Sequence, residues 1–91
     1  MALLVVTLAT VLAACSQSES TELKVHHFLP PRATAHANFI VPWCEKIEQE
    51  SNGDLKCRIY PAMQLGGSPP QLYDQAKDGV VDIVWTVPGY S

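Results

Sequence analysis

The chain has 91 residues, 47% of them hydrophobic and 16% charged, and a formal net charge of −3. That length supports one small domain, and that composition excludes a disordered or fibrous chain. Six scattered Lys and Arg residues in an acidic balance argue against nucleic acid or an anionic membrane surface as partner.

Ala2 to Ala14 is apolar apart from two threonines, and no charge appears before Glu19. The run is too short to span a bilayer but suits the core of a signal peptide. It ends in Leu12-Ala13-Ala14-Cys15, which resembles a bacterial lipobox. We therefore expect a signal peptide over residues 1–14, cleavage before Cys15 and diacylglycerol on the Cys15 sulfur. That anchor would hold the protein in the periplasm or cell envelope. An ordinary secretory signal with an incidental Cys15 is the alternative. No basic n-region precedes the run, so either the true start lies upstream of Met1 or the front of the gene is lost. Cys15 to Glu22 is then a lipidated cysteine followed by a small, polar tether.

Leu23 to Leu29 reads as a strand with Leu23, Val25, His27 and Leu29 on one face, stopped by Pro30-Pro31. His26 and His27 point to opposite faces of it and cannot readily share a metal ion. His36 could approach one of them, but the preferred reading is three scattered polar histidines. Thr34 to Ser51 is helical by pattern, with Ile40, Trp43, Cys44 and Ile47 at i, i+3, i+4 and i+7. Pro42 removes a backbone donor, which predicts a kink or a helix that begins near Asn38. Asn52-Gly53 closes the helix with a left-handed cap.

Leu55 to Tyr60 alternates, with Leu55, Cys57 and Ile59 inward and Lys56, Arg58 and Tyr60 outward, as an edge strand would. A β-α-β unit follows over Ile59 to Trp85. Ser68 can cap its helix, Pro69 suits the first position, and Gln71 sits where a capping-box partner belongs. Leu72 and Ala76 share a face, and Gly79 ends the helix. Val80 to Val87 is apolar except for Asp82 and Thr86, which predicts a strand covered on both sides.

With right-handed crossovers, an edge second strand and an inner third strand give an α/β fold with parallel sheet order 2-1-3 and flanking helices. An inner strand needs a further neighbour, so we expect residues 23–91 to be an incomplete N-terminal lobe, a fragment of a longer protein. Setting Cys15 aside leaves Cys44 and Cys57, both on apolar faces. In an oxidising compartment they could form a disulfide worth about 3 kcal/mol by chain entropy. The preferred reading is two buried free thiols, because sharing a layer does not guarantee bridging geometry. A Cα separation well beyond 7 Å would exclude the bridge.

No catalytic constellation stands out: there is no G-x-G-x-x-G, Walker loop, G-x-S-x-G or HExxH. Gly66-Gly67 is explained by turn chemistry. The site signal is positional, because ligands of parallel sheets bind beyond the carboxyl ends of the strands. Three segments meet there: Phe28 to Thr34, Pro61 to Ser68 and Trp85 to Tyr90. They offer aromatic surface, hydroxyls and helix N-termini suited to a carboxylate. The candidate ligand-binding residues are Phe28, Ser68, Trp85, Thr86 and Tyr90, with core packing the equal alternative for Phe28 and Trp85. Met63 and Leu65 read as packing. These features fit binding better than catalysis, and no cofactor or metal site is expected.

The runs LKVHHFLPP, PWCEKIEQESNGDLKCRIYPAMQLGG and QLYDQAKDGVVDIVWTVPGY resemble the N-terminal part of TRAP-transporter solute-binding proteins of the DctP-like family. Tyr60-Pro61-x-x-Gln64-Leu65-Gly66 with Asp78-Gly79-x-x-Asp82 is the more specific part. The resemblance implies a two-domain periplasmic-binding-protein fold of type II kind that closes on a small organic acid. The loaded protein would then dock on a membrane permease, catalysing no reaction. It implies first-lobe contacts near Phe28, near Ser68 and over Thr86 to Tyr90. It also implies a carboxylate-pairing arginine later in the chain, which neither Arg32 nor Arg58 matches. Cys44 and Cys57 stand where family members commonly carry apolar residues, so a bridge would be peculiar to this branch. The sparse, aromatic-rich half-site suggests a larger or less polar acid than a simple dicarboxylate. A truncated exported α/β enzyme and a small interaction lipoprotein are the other classes the sequence leaves open.

Overall fold

The computed structural model describes residues 19–90; the expected signal segment 1–14 and the lipidated Cys15 lie outside them. Three strands, β1 (Thr21–His27), β2 (Leu55–Tyr60) and β3 (Ile83–Trp85), form one parallel sheet in the order β2-β1-β3, as the hydropathy contrast between edge and inner strand predicts. β1 spans Thr21–His27, starting ahead of the expected Leu23 and ending before Leu29. The early start comes from pairing, since Thr21 lies opposite Leu55 and its N–H donates to the Asp54 carbonyl at 2.7 Å.

Helical winding begins at Thr34 and does not wait for Asn38. It widens into a π-helical turn over His36–Ile40, marked by the Val41 N–H bonding the His36 carbonyl, and then runs as α1, Val41–Glu50. Pro42 supplies the reason: its ring and missing N–H sit at the start of α1, and one wide turn absorbs the register change. Ser51 ends the helix, and Asn52 (φ 54°) and Gly53 (φ 81°) adopt the predicted left-handed cap. The Gly53 N–H reaches the Glu48 carbonyl at 2.8 Å and satisfies an otherwise orphaned acceptor.

One sheet face carries the core of Val25, Ile40 and Cys44, packed against Cys57, Ile59 and Ile83. Trp43, expected on the buried stripe of α1, is exposed along one side, while Ile40 and Cys44 are buried. Cys44 and Cys57 are joined by a disulfide with a Cα separation of 5.6 Å, which overturns the free-thiol reading. Alternation on β2 (Leu55–Tyr60) places Cys57 inward at the position that the buried face of α1 overlies. The covalent link therefore staples the helix to the edge strand.

The opposite face is covered by a 3-10 turn, Pro69–Gln71, that runs into α2, Leu72–Lys77. The predicted capping box forms, with the Ser68 N–H donating to Gln71 Oε1 at 2.8 Å. Leu72 is fully buried. Gly67, at φ +85°, holds a left-handed backbone that favours glycine, and a Cβ there would also displace the Gln71 and Gln75 side-chain ends, each 2.9 Å away.

β3 is far shorter than the expected Val80 to Val87 and spans only Ile83–Trp85. Both Val80 and Val81 donate their N–H groups to the Gln75 carbonyl, so they finish the helix instead of starting the strand. Asp82 then locks the register, accepting the Lys24 N–H on Oδ2 at 2.8 Å and donating its own N–H to the Lys24 carbonyl at 3.0 Å. Pro88, with no N–H, opens a 3-10 turn over Pro88–Tyr90. The expected cover on both faces of β3 is not met among the described residues, where Ile83 and Val84 are half-buried and Trp85 is exposed.

The reading of the histidines as scattered polar residues is also overturned for two of the three, since His26 and His27 are both fully buried. They do point to opposite faces, and each is held by partners from distant segments. His26 Nε2 accepts the Leu65 N–H at 3.2 Å, so its proton sits on Nδ1 and donates to Gln75 Oε1 at 2.7 Å. Gln75 Nε2 in turn donates to the Gly66 carbonyl at 3.1 Å. A histidine on β1 and a glutamine on α2 thereby pin the glycine-rich loop. Gln75→Ala is expected to destabilise the protein by about 2 kcal/mol, because it strands a buried imidazole N–H. A denaturant titration measures this, and amide exchange at Gly66 and Gly67 should quicken in the same variant.

Candidate functional site

The three segments expected to meet beyond the carboxyl ends of the strands do meet. The loop after β2 is tied to the end of β1, with the Ala62 N–H on the Leu29 carbonyl and the Met63 N–H on the His27 carbonyl, both at 2.9 Å. Ala62 (φ 53°) and Met63 (φ 57°) hold left-handed backbone to make these bonds. Such strain costs on the order of 1 kcal/mol per residue and tends to gather at functional loops. The loop after β1 meets the segment after β3 through Phe28 and Tyr90, whose rings pack edge to face with centroids 5.4 Å apart. The 3-10 turn Pro69–Gln71 packs against the turn Pro88–Tyr90 and closes the ring of contacts.

The expected ligand residues divide within this frame. Phe28 and Tyr90 form one aromatic pair. Thr86 follows the end of β3, and its Oγ1 is buried without a hydrogen-bond partner among the described residues. A buried hydroxyl is ordinarily satisfied, so this one is suited to an incoming polar atom. Ser68 is exposed, and both its N–H and its hydroxyl engage Gln71 Oε1. Trp85 has different neighbours. It pairs with Phe39 at 5.2 Å and lines an apolar cavity of about 300 Å³ with Ile40, Trp43 and Ile83. Leu65, expected to pack, is exposed, and its backbone N–H does the structural work.

Arg58 lies on β2 with its guanidinium 5.5 Å over the Tyr60 ring, and Arg32 is exposed in the loop after β1. No group of three or more His, Cys, Asp or Glu that could hold a metal ion occurs among the described residues.

Sequence reasoning passed over one feature of this edge. His27 closes β1, and its Nδ1 accepts the Leu29 N–H at 3.0 Å. Its Nε2 is 2.8 Å from His36 Nδ1. Burial, then the neighbouring His36 and His26, hold the His27 pKa down from 6.5 to about 4. The signal available in the sequence was the possible approach of His36; burial of the pair was not readable, because it depends on how α1 lies across the sheet.

The sequence profile of bacterial extracellular solute-binding protein family 7, DctP, matches residues 25–91. No curated protein matches the chain. Among solved structures it is similar to a marine metagenome TRAP solute-binding protein, from an unidentified microbe, specific for aromatic acid ligands and complexed with 3-hydroxybenzoate. That match has 61% identity and a TM-score of 0.79 over 81% of this chain and 23% of the other. A TRAP solute-binding protein from Rhodoferax ferrireducens with copurified benzoate matches at 54% identity and TM-score 0.77, over 79% of this chain and 22% of that one. A periplasmic one from Bordetella bronchiseptica with bound mandelate matches at 30% identity and TM-score 0.66, over 76% and 22%. The chain thus spans less than a quarter of the length of these relatives. Its parallel 2-1-3 sheet and a family match over most of its length agree, and the chain belongs to bacterial extracellular solute-binding protein family 7.

Proposed function

We propose that this chain forms part of the first lobe of a TRAP-type solute-binding subunit that captures an aromatic carboxylate outside the cytoplasm. The carrying observations are the Phe28–Tyr90 ring pair and, in the segment that follows β3, the unsatisfied Thr86 hydroxyl, both beyond the carboxyl ends of the strands, where parallel sheets hold ligands. Aromatic walls favour a flat, weakly polar ring, and the relatives named above bind acids of that kind. In this reading a second lobe closes over the acid and supplies the arginine that pairs with its carboxylate. The loaded protein docks on a TRAP permease and catalyses no reaction. A signal peptide over 1–14 and a lipid on Cys15 would place it in the periplasm or cell envelope, tethered through residues 15–22.

Titration calorimetry of the full-length protein tests the proposal. Benzoate, 3-hydroxybenzoate or mandelate is expected to bind with micromolar or tighter affinity, and succinate much more weakly. Tyr90→Ala should weaken aromatic-acid binding about tenfold, the scale of an aromatic contact. Absence of binding across the aromatic panel, or tighter binding of succinate, would refute the proposal.

A further inference from the structure

The hydrogen bonds around His27 determine where each proton of the histidine pair must be. A backbone N–H can only donate, so the Leu29 N–H fixes His27 Nδ1 as an acceptor. Neutral His27 then carries its hydrogen on Nε2 and donates it to His36 Nδ1 at 2.8 Å. His36 is thereby fixed as the tautomer with its hydrogen on Nε2. That nitrogen, on the far edge of a half-buried ring, has no partner among the described residues. The pair sits at the carboxyl edge of the sheet, because His27 is the last residue of β1 and lies opposite Trp85 in the ladder. A fully buried imidazole thus orients a half-buried one from behind, leaving a directed donor at the edge where the acid is proposed to bind. The unsatisfied Thr86 hydroxyl on the same edge independently marks it as prepared for a polar ligand atom.

We propose that His36 donates its Nε2–H to an acceptor oxygen of the bound aromatic acid, and that His27 is a positioning residue that fixes the His36 tautomer. This rests on the proposed capture of an aromatic acid. A neutral directed donor complements an oxygen without adding a charge that would have to be desolvated, which suits an acid whose ring is otherwise held by aromatic walls. It also confers selectivity, since a ligand offering no oxygen at that point would strand the donor.

The test compares wild type, His36→Asn and His36→Gln in the full-length protein by calorimetry with benzoate and 3-hydroxybenzoate. An Asn amide can occupy the place of Nδ1 and accept from His27, but leaves nothing at Nε2, whereas a Gln amide reaches the place of Nε2. His36→Asn is expected to bind at least one of the acids about tenfold more weakly, and His36→Gln to recover part of the loss. Nitrogen-15 NMR of the wild-type imidazoles is expected to show His36 as the Nε2–H tautomer, with that resonance shifting when the acid is added. Should wild type bind while His36→Asn binds equally tightly, or the Nε2 resonance not move, the inference is overturned and the proposed function stands. If wild type binds no aromatic acid, both fall together. Failure of either variant to fold leaves the wild-type resonance to decide.

Discussion

Replacing both Cys44 and Cys57 by alanine is expected to lower the stability of the full-length protein by about 3 kcal/mol, the loop-closure value for a bridge across 13 positions. The unfolded chain gains freedom when the link is cut. In the folded state the link joins α1 to β2, an edge strand whose Leu55 end is exposed. The loss should therefore be local as well as global. Equilibrium urea unfolding, with and without a reductant, measures it: reduced wild type should approach the double variant, and oxidised wild type should stand above both. Coincident curves for oxidised and reduced protein would exclude a stabilising bridge. Amide exchange in Leu55–Tyr60 should rise more than at Val25 and His26 of β1, which are paired on both sides.

Acidification should destabilise the protein through His27. In the unfolded chain an imidazole takes up a proton near pH 6.5, while the folded His27 does so only near 4. Above pH 6.5 neither state binds that proton, and the contribution of His27 is fully present. As pH falls from 6.5 towards 4 the unfolded state binds a proton that the folded state refuses, and about 3 kcal/mol is lost. His27 is fully buried, so solvent screening does not dilute the effect. The measurement is a comparison, so that groups common to both proteins cancel. The stability difference between wild type and His27→Asn should shrink by about 3 kcal/mol between pH 7 and pH 4, because only wild type carries the refused proton. A difference that stays constant with pH would show that His27 is not held neutral.

The parts legible in the sequence were those governed by local chemistry. The Asn52-Gly53 cap and the Ser68–Gln71 capping box each depend on residues a few positions apart, and each formed as expected. The alternation of β2 holds over Cys57, Arg58 and Ile59 but not at its ends, where Leu55 is exposed and Tyr60 half-buried. Strand order was also readable, since composition differs between an edge strand and an inner one. The expectations that failed turn on partners far along the chain. His26 reads as a polar residue until Gln75, on α2, and the Leu65 N–H come to it. β3 reads as a long strand until the Gln75 carbonyl claims the N–H groups of Val80 and Val81. Trp85 lies at the end of β3, and its contact with Phe39, far back along the chain, sets it into the lining of an apolar cavity.

By itself the sequence determined the α/β class and the parallel 2-1-3 sheet, because hydropathy period and turn chemistry are properties of neighbouring residues, and its motifs carried the resemblance to the family. Only the tertiary structure decided that the two cysteines are bridged and that the paired histidines are buried. It also brought Phe28 against Tyr90 and Trp85 against Phe39. Those outcomes depend on distances and donor directions across the sheet, which are fixed by how α1 and α2 lie on its two faces and are encoded in no local stretch of the chain.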